Sequence, residues 1–152
     1  MGRISETFLK LEKLNKKALI AYIVAGDPNL ESTARVMELM VGHGVDIIEL
    51  GIAFSDPMAE GPSVQRGHER ALINGTSLEE VLELVKKFRK INQETPIVLM
   101  GYMNPFESMG SKVFSRKASD SGVDGVLIVD MPIEESSEFT NQTKKLGIDM
   151  IR

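Results

Sequence analysis

The chain has 152 residues, no cysteine, two histidines and a formal charge of −4, with 42% of its residues apolar and 26% charged. That balance suits one folded domain over residues 1–152 and excludes a disordered chain, a disulfide framework, a Cys-ligated metal centre and a thiol nucleophile. Mild acidity without any block of like charge makes nucleic acid and anionic membranes poor partners.

The first predicted element is a helix over residues 4–15. The segment Met1 to Lys17 mixes Arg3, Glu6, Lys10, Glu12 and Lys13 with its apolar residues, so it lacks the continuous apolar core of a signal peptide, and no run approaches the ~20 residues of a membrane span. A cytoplasmic protein is the expectation. Four short apolar runs follow, Ala18 to Val24, Asp46 to Ile52, Pro96 to Tyr102 and Gly125 to Met131, each flanked by Gly, Pro, Asp or Asn. Most are apolar on both parities, the pattern of parallel strands covered on both faces.

Segments of helical period lie between these runs. Asn29 is placed to cap a helix with Leu30, Ala34, Met37 and Val41 on one face, ending near Gly42 and Gly44. A helix-like stretch spans Ser63 to Asn74. Thr76 with Glu79 reads as a capping box before Leu78, Val81, Leu82, Val85 and Phe88. Pro132 suits a first helical position, with Glu134 and Glu135 at the positive end, Lys144 and Lys145 at the negative end, and Gly147 closing the helix.

A Gly-apolar-Asp triplet occurs three times before an apolar run: Gly44-Val45-Asp46, Gly122-Val123-Asp124 and Gly147-Ile148-Asp149. Glycine tolerates the left-handed backbone that ends a helix, so each triplet marks a helix-to-strand junction. The third announces a fifth strand, barely begun at Met150-Ile151. Two architectures fit such alternation. A five-stranded flavodoxin-type sheet, a binding or signalling module without catalysis, could be complete near this length. A TIM (β/α)8 barrel needs eight units of about 31 residues each, so the chain would hold the first four units and the start of the fifth strand. The abrupt stop favours the barrel.

No P-loop, nucleophile elbow or H-E-x-x-H occurs, and Gly42-His43-Gly44 precedes a strand where a dinucleotide turn would follow one. The informative stretch runs from Glu49 to Pro62. Glu49 sits near the C-terminal end of a strand otherwise made of Ile47, Ile48, Leu50 and Ile52, where active sites of parallel α/β folds are built and where burial would raise a carboxyl's pKa toward general-acid use. A local turn network is the alternative for such a residue. Glu60 stands eleven residues later on a loop with Pro57, Gly61 and Pro62; two carboxylates at one mouth can divide acid and base roles, although a lone loop Glu is most often solvated. Asp27-Pro28, Asp56-Pro57, Asn104-Pro105 and Met131-Pro132 place turns after successive runs. Tyr22 and Tyr102, the two tyrosines, read first as packing residues with a hydrogen-bonded tip. The methionines read as core filler, with Met100 and Met103 flanking a strand end, and His43 and His68 as solvated helix residues without a site role.

From Glu49-Leu50-Gly51-Ile52-Ala53-Phe54-Ser55-Asp56-Pro57-Met58-Ala59-Glu60-Gly61-Pro62 the sequence resembles the α chains of tryptophan synthase. The likeness continues through Gly26-Asp27-Pro28, Gly101-Tyr102-Met103-Asn104-Pro105 and Val129-Asp130-Met131-Pro132-Ile133-Glu134-Glu135. The resemblance implies a TIM barrel that cleaves indole-3-glycerol phosphate to indole and glyceraldehyde 3-phosphate in tryptophan biosynthesis, with no organic cofactor and no metal. It also implies a PLP-dependent β chain as partner in an α2β2 complex. The family's two carboxylates match Glu49 and Glu60, with Tyr22, Met100, Tyr102, Leu127 and Val129 around the indole ring and Asp56, Pro57, Asn104 and Pro132 toward the partner. Two positions depart from the family pattern. Glu60 stands where Asp is usual, a reach longer by roughly 1.3 Å, and Ala53 stands where Pro is usual, which loosens the loop. With the phosphate-binding loops of such barrels coming after the seventh and eighth strands, these 152 residues alone are expected to be inactive.

Overall fold

A computed structural model describes residues 2–152 and shows seven α-helices and five strands among them. Helix α1 (Arg3–Lys13) precedes β1 (Ile20–Val24), α2 (Leu30–Gly42) and β2 (Ile47–Gly51); α3 (Pro62–Ile73) and α4 (Leu78–Phe88) lead to β3 (Ile97–Gly101). Then come α5 (Met103–Met109), α6 (Ser111–Ser121), β4 (Gly125–Ile128), a 3-10 turn (Ile133–Glu135), α7 (Ser137–Lys145) and β5 (Asp149–Ile151). No helix is long and apolar enough to cross a membrane among the described residues.

The five strands form one parallel sheet in the order β1-β2-β3-β4-β5. Strand succession without a switch point excludes the flavodoxin order 2-1-3-4-5 and is the winding of a (β/α)8 barrel wall. Alternation along each strand then separates two faces. Ile48, Leu50, Ile97, Leu99 and Val126 point outward and are wholly buried in one cluster with Met37, Val81, Val85, Phe114 and Ala118 of the surrounding helices. The opposite face carries Tyr22, Glu49, Met100 and Leu127, each only half-buried. Val98, Gly51 and Gly125 on this face are buried too, so the cover expected on both sides extends to part of the concave face.

The three Gly-apolar-Asp triplets behave as junctions. Gly44, Gly122 and Gly147 have φ of 91°, 87° and 77°, in the left-handed region. The first two aspartates then tie adjacent strands together at their starts: Asp46 accepts from the Leu19 amide at 2.8 Å, and Asp124 from the Ile97 amide at 2.8 Å. Asp124 also receives the guanidinium of Arg89 at 2.6 Å and that of Arg3 at 2.8 Å. Arg89 spends its remaining donors on the carbonyls of Gly122, Asn92 and Thr95. Burial pulls on the Arg89 proton, and the Asp124 charge opposes that pull.

Several local expectations need correction. The cap of α4 is Ser77, with Glu80 closing the capping box, in place of Thr76 and Glu79. Thr76 is buried against Gly26, where a Cβ would collide with its side chain, so its hydroxyl is committed to packing. Pro132 precedes a 3-10 turn that holds Glu134 and Glu135, and α7 starts only at Ser137. His68 is buried, contrary to its reading as a solvated residue.

Replacing Asp124 with Ala leaves the Arg89 guanidinium buried without its carboxylate, and a loss of roughly 3–5 kcal/mol is expected from breaking such a pair. Urea unfolding midpoints of the two proteins check this; a change below about 1 kcal/mol would show that the carbonyl contacts suffice.

Candidate active site

Parallel register decides which side chains meet. Tyr22 pairs with Glu49 across β1 and β2, while Gly51, Met100 and Leu127 align across β2, β3 and β4. All five positions belong to the concave face. Gly51 is required there, because a Cβ on it would collide with the Tyr22 hydroxyl. Val129, two residues beyond Leu127, follows on the same strand line and remains half-buried, its amide bonded to the Gly101 carbonyl at 2.9 Å.

Glu49 stands on this wall where β1, β2 and β3 pair, and Asp149 of β5 is the other carboxylate in register with it. Burial among Tyr22 and the apolar residues pushes the Glu49 pKa above the ordinary glutamate value. A carboxyl so placed keeps its proton to higher pH, which suits a group that must donate and then recover one.

Glu60 reaches the same mouth from the loop between β2 and α3. The Tyr102 hydroxyl donates to its Oε2 and accepts from the Ala59 amide at 2.8 Å. Phe54 stacks on the Tyr102 ring with centroids 5.3 Å apart. Burial, and then the bond to Glu60, pushes the Tyr102 phenol up to about 12, so it stays a donor at neutral pH. Gln65 anchors the loop backbone by donating to the Glu60 carbonyl at 2.9 Å. Glutamate at position 60 thus spans from the loop to the end of β3.

Helix α3 supplies a residue that sequence reasoning left aside. Gly67 allows the helix close to β1; a Cβ there would stand 3.0 Å from the Asp27 carboxylate and 3.1 Å from Val24. Arg70 completes the clamp with a bidentate pair to Asp27 at 2.6 and 2.7 Å, which holds the Asp27 carboxyl below its ordinary pKa. His68 is thereby seated inside, 1% exposed, with Nδ1 accepting from the Phe54 amide at 3.1 Å and Nε2 3.3 Å from the Tyr22 hydroxyl. Burial lowers its pKa, against partial opposition from the Glu60 charge. Burial raises the Tyr22 phenol as well, with the charges of Glu60 and Glu49 adding to the shift. No sequence pattern marks His68; the close approach of α3 to β1 at Gly67 is what turns it inward.

Asp56, Pro57, Asn104 and Pro132 lie outside this cluster, in the segments that follow β2, β3 and β4. Asp56, Asn104 and Pro132 are exposed, as are Met58 and Ile133 beside them. They form a rim at the same end of the sheet as the carboxylates. A cleft of about 760 Å³ at the other end of the strands, lined by Arg3, Glu6, Asp46 and Asp124, contains none of the concave-face residues.

The raised pKa of Glu49 has a thermodynamic sign. The folded state holds the proton more tightly than the unfolded one, so the penalty is absent below the unfolded value and complete once pH exceeds the folded one. Glu49→Gln is therefore expected to raise Tm at pH 7 and to change it little below about pH 4. Calorimetry at both pH values checks this, and an equal or lower Tm at pH 7 would contradict the burial cost.

Comparison with known proteins places this geometry in a family. Residues 8–152 match the family described as tryptophan synthase alpha chain. The tryptophan synthase alpha chain of Cupriavidus pinatubonensis is 52% identical over 151 residues, covering 99% of this chain and 57% of that relative. That of Methylococcus capsulatus gives the same identity and coverage. Among solved structures, a tryptophan synthase alpha chain from Legionella pneumophila superposes with a TM-score of 0.96 at 45% identity, covering 99% of this chain and 56% of that one. The tryptophan synthase complex from Pyrococcus furiosus gives 0.83 at 44% identity, over 88% of this chain and 55% of that one. The chain thus spans a little over half the length of the curated relatives it matches, and it belongs to the tryptophan synthase alpha chain family.

Proposed function

We propose that the protein is a carbon–carbon lyase that cleaves indole-3-glycerol phosphate to indole and glyceraldehyde 3-phosphate. The observation that carries this reading is the half-buried Glu49, standing on the concave wall beside Tyr22, with Glu60 reaching the same mouth. A retro-aldol cleavage needs a proton delivered to indole C3 and a proton removed from the hydroxyl on the adjacent glycerol carbon. Glu49, with its raised pKa, is the acid–base group for these transfers. As positive charge develops on the ring, the Glu60 carboxylate accepts the indole N–H and stabilises that charge where it forms. The Tyr102 hydroxyl holds the carboxylate in place for that task. Tyr22, Met100, Leu127 and Val129 supply the wall against which the ring lies.

The rim of Asp56, Pro57, Asn104 and Pro132 is the surface for a β chain that takes up the indole, in an α2β2 assembly. Relatives from Pyrococcus furiosus have been solved as a tryptophan synthase complex and as an a2b2 complex, and the exposed Met58 and Ile133 give this rim an apolar content that suits a partner. A cytoplasmic location accords with such a biosynthetic role.

In the full-length protein, Glu49→Gln is expected to lower indole release by at least 10³-fold with KM little changed, the pattern of a lost transition-state proton transfer. Glu60→Asp, too short to keep the Tyr102 bond without backbone movement, is expected to cost about 10-fold. Indole release measured by absorbance checks both, and an active Glu49→Gln protein would overturn the assignment. A polypeptide of these 152 residues alone is expected to release indole at under a hundredth of the rate of a full-length family member; comparable turnover would show that five strands suffice.

A further inference from the structure

The hydrogen bonds around His68 fix its protonation without reference to any titration. The Phe54 amide is a donor only, so the Nδ1 it meets at 3.1 Å must be an unprotonated acceptor. The ring is then neutral with its one proton on Nε2, and that nitrogen faces the Tyr22 hydroxyl at 3.3 Å. Nε2–H donates, and the Tyr22 oxygen accepts. The tyrosine's own proton is consequently barred from the histidine and must find an acceptor elsewhere. The carboxyl groups on that side are Glu49, paired with Tyr22 across the adjacent strand, and Glu60 at the mouth. Tyr102, the other hydroxyl within electrostatic reach, already donates to Glu60.

Resting on the lyase reading above, we propose that His68 is a positioning residue for that reaction: as the Nε2–H tautomer it turns the Tyr22 hydroxyl so that its proton points into the concave face beside Glu49. Tyr22 is then more than ring wall. It presents an O–H donor to the Glu49 carboxylate, or to the substrate oxygen that Glu49 deprotonates, and holds the acid–base group and the reacting carbon in one geometry. Every feature needed for this is structural. Gly51 leaves the space in which the tyrosine tip lies, Gly67 and the Arg70–Asp27 pair seat α3 against β1, and the Phe54 amide selects the tautomer.

The test uses the complete chain encoded by the gene. Imidazole 15N NMR of the unsubstituted protein is expected to show His68 as the neutral Nε2–H tautomer at pH 7, with the Nε2 resonance moving in Tyr22→Phe, which removes its acceptor. His68→Asn keeps an acceptor for the Phe54 amide but cannot reach Tyr22. It is expected to lower kcat by roughly 3- to 10-fold, the size of one hydrogen bond, with KM within about twofold, and to have less than about a twofold effect when Tyr22→Phe is already present. An equal loss in both backgrounds, an Nδ1–H tautomer or a charged ring would overturn the proposal. Should His68→Asn not fold, the tautomer and its response to Tyr22→Phe decide the question. Glu49→Gln in the same assay separates the two levels: full activity in that variant defeats the lyase reading itself, whereas inactivity there without His68–Tyr22 coupling defeats only the positioning role.

Discussion

Glu49 must leave the core that its neighbours build. Ile48 and Leu50 on either side are wholly buried under helices, and a slip of one residue in the pairing of β2 would drive the carboxylate into that apolar layer while exposing two aliphatic side chains. The register Tyr22–Glu49 and Gly51–Met100 prevents this. It is enforced by the outward aliphatic residues and by aspartates at strand starts that bond the amide at the start of a neighbouring strand. The polar groups of the concave face are therefore consequences of packing on the other side of the sheet. Their own interactions fine-tune a placement that the convex core has already imposed.

Much of this was legible because it depends on short-range pattern. The triplets at Gly44, Gly122 and Gly147 predicted helix ends and strand starts, since a positive φ at glycine is a local requirement. Glu49 stood out because a carboxylate breaks an aliphatic strand at the end where such folds carry chemistry. The capping of α4 was harder: Thr76 and Ser77 each precede a glutamate by three residues, and both satisfy the same template. What separates them is tertiary, the burial of Thr76 beneath Gly26. Helices α5 and α6 went undescribed for a related reason, as their break at Gly110, with φ of 86°, interrupts any continuous period.

His68 was illegible in a different way. A histidine on a helix with charged neighbours, Glu69 and Arg70, has no pattern to distinguish it from a surface residue. Its partners are the Phe54 amide, fourteen residues away, and the Tyr22 hydroxyl, forty-six away. Only the approach of α3 to β1, permitted by Gly67 and held by Asp27–Arg70, turns it inward. Residues whose role is created by a helix-to-strand contact carry their signal in the pair, and a single sequence displays the members separately.

Glu60 is a long side chain on a loop, and its surroundings give it a defined place. A longer carboxylate on a loop would ordinarily wander, at a cost in orientation that outweighs any gain in reach. Here the loop is pinned at several points. The Tyr102 hydroxyl binds both the carboxylate and the Ala59 amide, Phe54 stacks on the same ring, and Gln65 holds the Glu60 carbonyl. Gly101 before Tyr102 packs closely on Ile52 and Phe106, where an added Cβ would stand 3.2 Å from each. Ala53 puts no φ restraint on this loop, and the stacking of its neighbour Phe54 on Tyr102, at the end of the adjacent strand β3, ties the segment down. The Glu60 carboxylate and the Phe54 segment thus meet on one ring, and the geometry at the mouth depends on how firmly Tyr102 holds both.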